Sequence, residues 1–398
     1  MRRAALFALA LLTALPAGLA LAAPAPVPMQ KPATADEVAL ADALVGRMRD
    51  GRFVGADERN PDHGRAFLHL AASSTDPTVV AAALRALAYT WRREPRNNAR
   101  RPAMNADYVK VVGARLADSE GRVRNEALRA ARLPLGGAKP DAGVLDAVLK
   151  MLASPNEADR LAAIEAVYNV RDFSTARQTQ GPIKERVVRA LLPLLDDKAP
   201  HILAATLYAF AQAGYPGMPE AKTIEAKALR LAKHPEAAVR AEALRVAVAL
   251  AGKKADDRLR ERLMGALGDE APYVRASAAE LLAEVKYLPA VHALMKLIED
   301  GAKSTRKVDG YRDLSGQPGS RRFRPETGGR VDVVALRAID VLTDTVDAKF
   351  DCTPRGRDQK QARQAAVEKA REWYAANQGK IPQPKFGAPA AGEAVEKK

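Results

Sequence analysis

The sequence is poor in cysteine and in aromatic residues. Among its 398 residues there is one cysteine, Cys352, and aromatic residues amount to 5%. A single cysteine excludes an intramolecular disulfide, and a chain of this length does not need one because its core can be large. Cys352 lies in a polar stretch, residues 351–357, which favours an exposed thiol over a catalytic one. Beyond the N-terminal apolar run, no stretch is apolar for long enough to span a bilayer, so we expect no transmembrane segment in the mature chain.

Motifs for catalysis and for metal or cofactor binding are also missing. The sequence contains no His-Glu-x-x-His, no phosphate-binding glycine loop and no Gly-x-Ser-x-Gly. The histidines are scattered, and none has a second histidine one helical turn away: His63, His69, His201, His234 and His292. We therefore predict no catalytic, cofactor-binding or metal-binding residues, and a protein that is not an enzyme.

The N-terminal residues have the pattern of an export signal. Arg2 and Arg3 precede an apolar run from Ala4 to Leu15, and Ala20-Leu21-Ala22 supplies a small-x-small cleavage site. This pattern predicts a signal peptide over residues 1–22 and a periplasmic or secreted protein. Removing Arg2 and Arg3 with the signal lowers the formal net charge from +15 to +13 (15 − 2). A protein this basic is attracted to anionic surfaces in a salt-dependent way.

A short phrase recurs along the chain at the start of helix after helix. The phrase begins with an aliphatic residue, and the next residue is usually an arginine. Two further residues follow, then a small residue and then a second aliphatic residue. The clearest copies begin at Val123, Val239 and Val274. The arginine position, which we name the slot, falls at residues 80, 124, 160, 203, 240, 275 and 332, in steps of 44, 36, 43, 37, 35 and 57. Steps of this size are typical of solenoids built from paired helices, in which a first helix carries the phrase and a second helix follows.

The recurring residues predict their own structural roles. The small and aliphatic pair, such as Ala243 and Leu244, should face the neighbouring repeat, where small residues let helices approach. An arginine in the first turn of a helix opposes the helix dipole. We therefore expect the slot arginine to bridge to an acidic or carbonyl group in the previous unit. The pattern departs from arginine at Leu203 and at Asp332.

These motifs resemble those of HEAT-repeat proteins of the bacterial phycobilisome-lyase HEAT-like type. The resemblance rests on the Asp-Pro-x-Val-x start at Asp76 and on the Val-Arg-x-x-Ala-Leu cores at Val123 and Val239, and it covers most of residues 75–343. It implies an all-α fold, a right-handed α-solenoid of stacked antiparallel helix pairs. It implies binding surfaces rather than any one activity.

Composition divides the rest of the chain. Residues 23–33 are a Pro-rich spacer, and Thr34 to Glu37 form a capping box that starts the first helix. The solenoid is expected over residues 34–377, with a basic insertion at 301–330 that explains the step of 57. From residue 378 to 398 the sequence predicts a disordered tail.

Two regions are candidates for binding a partner. In HEAT-like stacks the second helices line the concave face. Exposed positions predicted on these helices are Arg186, Arg189, Arg230, Lys233, Arg258 and Arg262. The insertion contributes a second group: Tyr311, Arg321, Arg322, Phe323 and Arg324. The alternative interpretation of the first group is a solvated helix surface balanced by Glu185, Glu225 and Glu261.

The resulting hypothesis is an exported, non-enzymatic scaffold that binds a protein or an anionic lipid or glycan of the envelope. Two alternatives remain: an enzyme on a HEAT-like fold, of the lyase or glycosylase type, and a nonspecific nucleic-acid binder. Export argues against nucleic acid as the partner.

Overall fold

The structure, a computed structural model, describes residues 26–49, 63–93, 106–136, 140–167, 182–213, 218–252, 255–303, 330–343 and 359–386. Within these ranges the chain forms sixteen α-helices and three short 3-10 helices. Extended pairing in the same ranges is limited to an isolated antiparallel bridge between Lys303 and Arg330. The prediction of an all-α fold is thus confirmed. The expected signal peptide and residues 304–329 of the expected insertion lie outside the described residues.

The helices follow one another through two compact units, residues 1–148 and 149–398, with the boundary inside α6. In chain order the helices are α1 (Ala35–Arg49), α2 (Gly64–Ser73), α3 (Pro77–Arg93), α4 (Ala106–Arg115), α5 (Gly121–Gly136), α6 (Ala142–Met151), α7 (Glu157–Val167), α8 (Pro182–Leu191), α9 (Pro200–Ala213), α10 (Ala221–Leu231), α11 (Ala237–Ala251), α12 (Asp257–Ala266), α13 (Pro272–Glu284), α14 (Val291–Leu297), α15 (Val331–Thr343) and α16 (Gln359–Asn377). The 3-10 helices are Leu192–Asp196, Leu288–Ala290 and Gln378–Lys380.

A recurring turn precedes the first helices. In each turn a side chain accepts a hydrogen bond from the backbone N–H two residues further on, and we name this residue the head residue. The head residues are Ser74, Asp118, Ser154, Asp197, His234, Asp269 and Asp300. The first six lie six residues before a slot. Serine and aspartate favour such turns because their short side chains reach the nearby backbone. The repeat found in the sequence therefore corresponds to a repeated local structure.

In the first unit, the hydrophobic faces of α2, α3 and α5 meet. Helix α3 packs against α2 and α5, and α4 packs on α5. Leu84 and Leu128 are buried in these contacts. The Tyr108 hydroxyl of α4 donates to the Ala130 carbonyl at 2.9 Å, which satisfies a phenol in a fully buried place.

An extended segment from the Pro-rich spacer is fixed to the first unit. The backbone N–H groups of Gln30 and Lys31 both donate to the carboxylate of Asp107, the second of them at 3.0 Å. Asp107 is buried at the start of α4, and the Arg65 guanidinium lies 3.8 Å from its carboxylate. The described part of the 23–33 spacer is therefore held by specific hydrogen bonds.

In the second unit, the first helices contact one another in sequence order. Helix α9 packs on α7, α11 on α9, α13 on α11 and α15 on α13. The second helices α10, α12 and α14 pack on the first helices that follow them, α11, α13 and α15. Ala243 and Leu244 are at most 1% exposed, as the sequence predicts for the small and aliphatic pair. Burial of apolar surface gains about 25 cal/mol per Å², so these two buried side chains stabilise the core of the second unit.

A short segment after α16 packs against this core at the C-terminal end of the second unit. Residues 378–386, which the sequence assigned to a disordered tail, follow α16 in a defined conformation. Ile381 is buried in the same core as α13 and α15, and the Lys385 ammonium lies 3.1 Å from the Asp257 carboxylate. Burial of one isoleucine side chain gains about 2 kcal/mol, which explains why this part of a polar tail packs.

Candidate binding surface on the second helices

The slot arginines of the second unit join consecutive repeats. The Arg240 guanidinium donates through Nη1 to the carbonyls of His234 and Pro235, at 3.0 and 2.7 Å, which lie in the turn just before its own helix. Through Nε and Nη2 it holds both carboxylate oxygens of Asp269, at 2.9 and 2.7 Å. Asp269 is the head residue of the next repeat. We name this arrangement of slot arginine and following head aspartate the staple.

The same staple forms twice more in the second unit. Arg160 pairs with Asp197, and Arg275 pairs with Asp300. Both arginines also donate to the two carbonyls that lie six and five residues before them. The expectation that the acidic partner belongs to the previous unit was wrong: the carboxylate belongs to the next one. The reason is geometric, because the guanidinium already covers the turn of its own helix and its free edge faces the following head residue.

The electrostatics of the staple fit a structural role. Arg240 and Asp269 have side-chain exposures of 11% and 14%. Burial of the Arg240 guanidinium disfavours its charge, but the hydrogen bonds and charge of Asp269 outweigh burial and raise the pKa of Arg240 above its usual value. Two-point contact of a planar guanidinium with a carboxylate is the strongest form of ion pair.

One junction of the second unit lacks the staple. Here Leu203 occupies the slot and His234 the head position of the next repeat. In the first unit Val80 also occupies a slot, but the carboxylate of the following head residue, Asp118, is taken by Arg115 at 3.1 Å. The departure at Leu203 is therefore matched by a change of its expected partner from aspartate to histidine.

A cavity of about 580 Å³ lies at this unstapled junction, and we name it the Leu203 notch. Its apolar lining comes from three buried side chains: Leu195, Leu203 and Leu231. Its cationic lining comes from Lys198, Arg230, Lys233 and His234. Two carboxylates also line it, and both are engaged: Asp196 binds Lys227 and Arg230, and Asp197 binds Arg160.

His234 holds a particular position in the notch. Its Nδ1 accepts the backbone N–H of Glu236 at 3.0 Å, so the neutral ring carries its proton on Nε2. Burial and the charge of Arg240 lower the pKa of His234, although the Glu236 carboxylate acts in the opposite direction. The neutral ring with an Nε2–H donor is therefore favoured in the folded protein.

Five of the six basic residues predicted on the second helices divide into two sets, those with an ion pair and those without one. Arg189 binds Glu220 at 3.1 Å and Glu185 at 3.4 Å, and Arg230 binds Asp196 at 2.7 Å. The pairs of Arg189 with Glu220 and of Arg230 with Asp196 connect the α8 region to the α10 region. They agree with the alternative interpretation, a solvated helix surface on which acidic residues balance the basic ones. Three others make no ion pair within the described ranges: Lys233, Arg258 and Arg262.

The structure brings only some of the predicted residues together. Arg230 and Lys233 border the Leu203 notch, Arg186 and Arg189 lie on α8, and Arg258 and Arg262 lie on α12. Tyr311, Arg321, Arg322, Phe323 and Arg324 fall outside the described residues. Sequence reasoning missed Lys198 and His234. The signal that could have found them is the leucine at slot 203, together with a histidine where most head residues are acids.

A second cavity, of about 450 Å³, lies at the C-terminal end of the second unit. His292 of α14 and Tyr374 of α16 line it, and the His292 Nδ1 lies 2.6 Å from the Tyr374 hydroxyl. The rings meet edge to face, with centroids 5.7 Å apart. The two residues are 82 positions apart, so no sequence motif could have joined them.

Two further features concern the ranges that the structure describes. No group of three or more His, Cys, Asp or Glu side chains in these ranges could hold a metal ion. No helix among them is long and apolar enough to cross a membrane.

Comparisons with known proteins leave the geometry as the basis for assigning a function. No protein-family model matches the chain, and no curated protein matches it.

Proposed function

We propose that this chain is an exported, non-enzymatic α-solenoid of HEAT-like helix pairs, a scaffold that binds an acidic protein segment or another anionic component of the cell envelope. The observation that carries the proposal is that Lys233, just after α10, and Arg258, on α12, are exposed cations without an ion pair in the described ranges, within a repeated helical framework. Such frameworks serve as binding surfaces because each repeat adds a similar strip of surface.

The solenoid part of the proposal is supported by repetition at two levels. Seven head turns share one hydrogen-bond pattern, and in the second unit each first helix packs on the one before it. Three staples repeat the same contacts at three junctions of the second unit. Nearest-neighbour contacts of this kind are how paired-helix repeats form continuous cores.

The anionic partner is supported by charge. The chain carries 63 Lys and Arg against 48 Asp and Glu. In the described ranges, Lys233 and Arg258 are exposed and make no ion pair, so their charges are available to a partner. Exposed like charges on one surface accelerate and orient the association of an oppositely charged partner. Export is supported by the pattern of Arg2, Arg3 and the apolar run that follows them.

The test is a binding series with the mature chain from Ala23 onward. The probes are an acidic peptide with interspersed leucines, phosphatidylglycerol vesicles and a sulphated polysaccharide, each at low and moderate salt. The charge-reversal variant Lys233→Glu/Arg258→Glu should weaken binding about tenfold, because each reversal replaces attraction by repulsion.

The matched control reverses two exposed arginines on first helices, Arg122→Glu and Arg337→Glu, with the same change of net charge. We expect this control to retain affinity within about threefold. Equal losses in both variants would mean that only net charge matters, and absence of binding to all three probes would overturn the proposal. N-terminal sequencing of the exported protein tests the predicted cleavage before Ala23.

A further inference from the structure

The Leu203 notch is a place where the repeated structure lacks one of its own parts. At each stapled junction of the second unit, a guanidinium lies on two backbone carbonyls and reaches a carboxylate. At this junction the equivalent carbonyls are those of Asp197 and Lys198, and the slot residue, Leu203, has no guanidinium to donate to them. Leucine in the slot and histidine at the next head position leave the space open.

The residues that flank the notch differ from those at the stapled junctions. One flanking position lies five residues before the slot, and the other lies just before the next head residue. At the unstapled junction these positions are both lysine, Lys198 and Lys233. The stapled junctions have Pro155 with Asp196, Pro235 with Gly268, and Glu270 with Glu299. Positive charge therefore accumulates only where the staple is missing.

The charges around the notch are arranged for an anion. Both lysines are exposed and have no ion pair within the described ranges. The two carboxylates in the lining are already bound by Lys227, Arg230 and Arg160, so they do not offset the lysines. The Nε2–H of His234 adds a neutral donor, since its Nδ1 is occupied by a backbone N–H.

The leucines that line the floor of the notch favour an anion that also carries an apolar group. Leu203 and Leu231, 3% and 8% exposed, give the cavity of about 580 Å³ a small apolar surface beneath its cationic rim, and Leu195 is fully buried. A fully hydrated inorganic ion gains nothing from such a floor, whereas an aliphatic side chain next to a carboxylate does. The two features together match a peptide that carries aspartate or glutamate beside leucine, isoleucine or valine.

We propose that the Leu203 notch is the docking site for an acidic, aliphatic-containing segment of a partner protein, with a carboxylate between Lys198 and Lys233 and an aliphatic side chain on the leucine floor. This inference rests on the proposed scaffold function and specifies where that scaffold binds. The missing staple is, on this account, the feature that distinguishes the binding repeat from the other repeats of the second unit.

The test restores the staple and so fills the site. The variant Leu203→Arg/His234→Asp introduces the pair found at the other junctions without changing the net charge of the neutral-histidine protein. We expect it to fold with unchanged or higher thermal stability and to bind the acidic peptide at least about tenfold more weakly than wild type, as measured by fluorescence anisotropy. If the first variant fails to fold, the surface variant Lys198→Glu/Lys233→Glu tests the same site, and we expect it to show the same loss of affinity for the acidic peptide.

The control variant Arg122→Glu/Arg337→Glu reverses two exposed arginines of first helices that lie outside the notch, and we expect affinity within about threefold of wild type. If the staple variant keeps wild-type affinity while Lys233→Glu/Arg258→Glu loses it, the notch proposal is wrong while the proposed scaffold function survives. If the vesicles or the polysaccharide bind more tightly than the peptide and ignore the staple variant, the partner class is wrong. If wild type binds no anionic probe, both proposals fail.

Discussion

Removal of a single staple arginine should loosen the junction between two repeats. In Arg240→Ala, the Asp269 carboxylate loses both of its guanidinium hydrogen bonds, and the carbonyls of His234 and Pro235 lose their shared donor. Removing one partner of a buried ion pair costs about 3–5 kcal/mol. Because Arg240 and Asp269 keep 11% and 14% exposure, water compensates in part, and we expect about 3 kcal/mol.

Hydrogen exchange of the amides in α11 and α13 measures this loss locally. A chain of repeats need not unfold in one step, so a local measurement is preferable to a single melting temperature. A loss of about 3 kcal/mol in the opening free energy accelerates exchange roughly a hundredfold. A double-mutant cycle with Asp269→Asn separates the energy of the Arg240–Asp269 ion pair from that of the head turn, because asparagine still accepts the Ala271 N–H.

The matched control is Arg258→Ala, an exposed arginine on α12 without an ion pair in the described part of the chain. It should change the opening free energy by less than about 0.5 kcal/mol. A loss of that small size in Arg240→Ala as well, or no coupling in the cycle, would refute the view that the staples hold successive repeats together.

Three further predictions concern other contacts. Asp107→Ala removes the acceptor of two backbone N–H groups of the spacer, which should cost about 2 kcal/mol and open residues 26–33 to limited proteolysis; unchanged protection would contradict the assigned contact. Because the folded-state pKa of His234 is lowered, stability should be fully present above its unfolded pKa of about 6.5 and be lost as the pH falls through the folded pKa. His234→Asn keeps the Nδ1-type acceptor, so its urea midpoint should depend less on pH than that of wild type; equal pH profiles would be evidence against a histidine that the folded protein keeps neutral. Tyr374→Phe removes the hydrogen bond to His292 and should lower thermal stability by about 1 kcal/mol, and an unchanged melting temperature would show that the pair contributes nothing.

The sequence predicts well what repeats locally. The capping box at Thr34 and Glu37 forms with both of its hydrogen bonds, and Ala243 and Leu244 are buried where the phrase places them. These features depend on helical spacing and on residues a few positions apart. A single sequence carries that information directly.

The sequence predicts less well what joins one repeat to the next. The partner of Arg240 lies 29 residues further on, and the direction of that contact was assigned wrongly because either neighbouring unit offers carboxylates. The notch was missed for the same reason: Lys198 and Lys233 are 35 positions apart and become neighbours only through packing. Sequence alone showed that Leu203 departs from the pattern, and the structure shows that His234 departs with it.

The most direct test of the account is a hydrogen-exchange footprint of the acidic peptide on the mature chain. The account predicts slower exchange on binding at residues 195–203 and 228–234, which surround the notch, and little change in α12 and α16. Protection confined to α12, or spread evenly over the second helices, would contradict a binding site formed where the staple is missing.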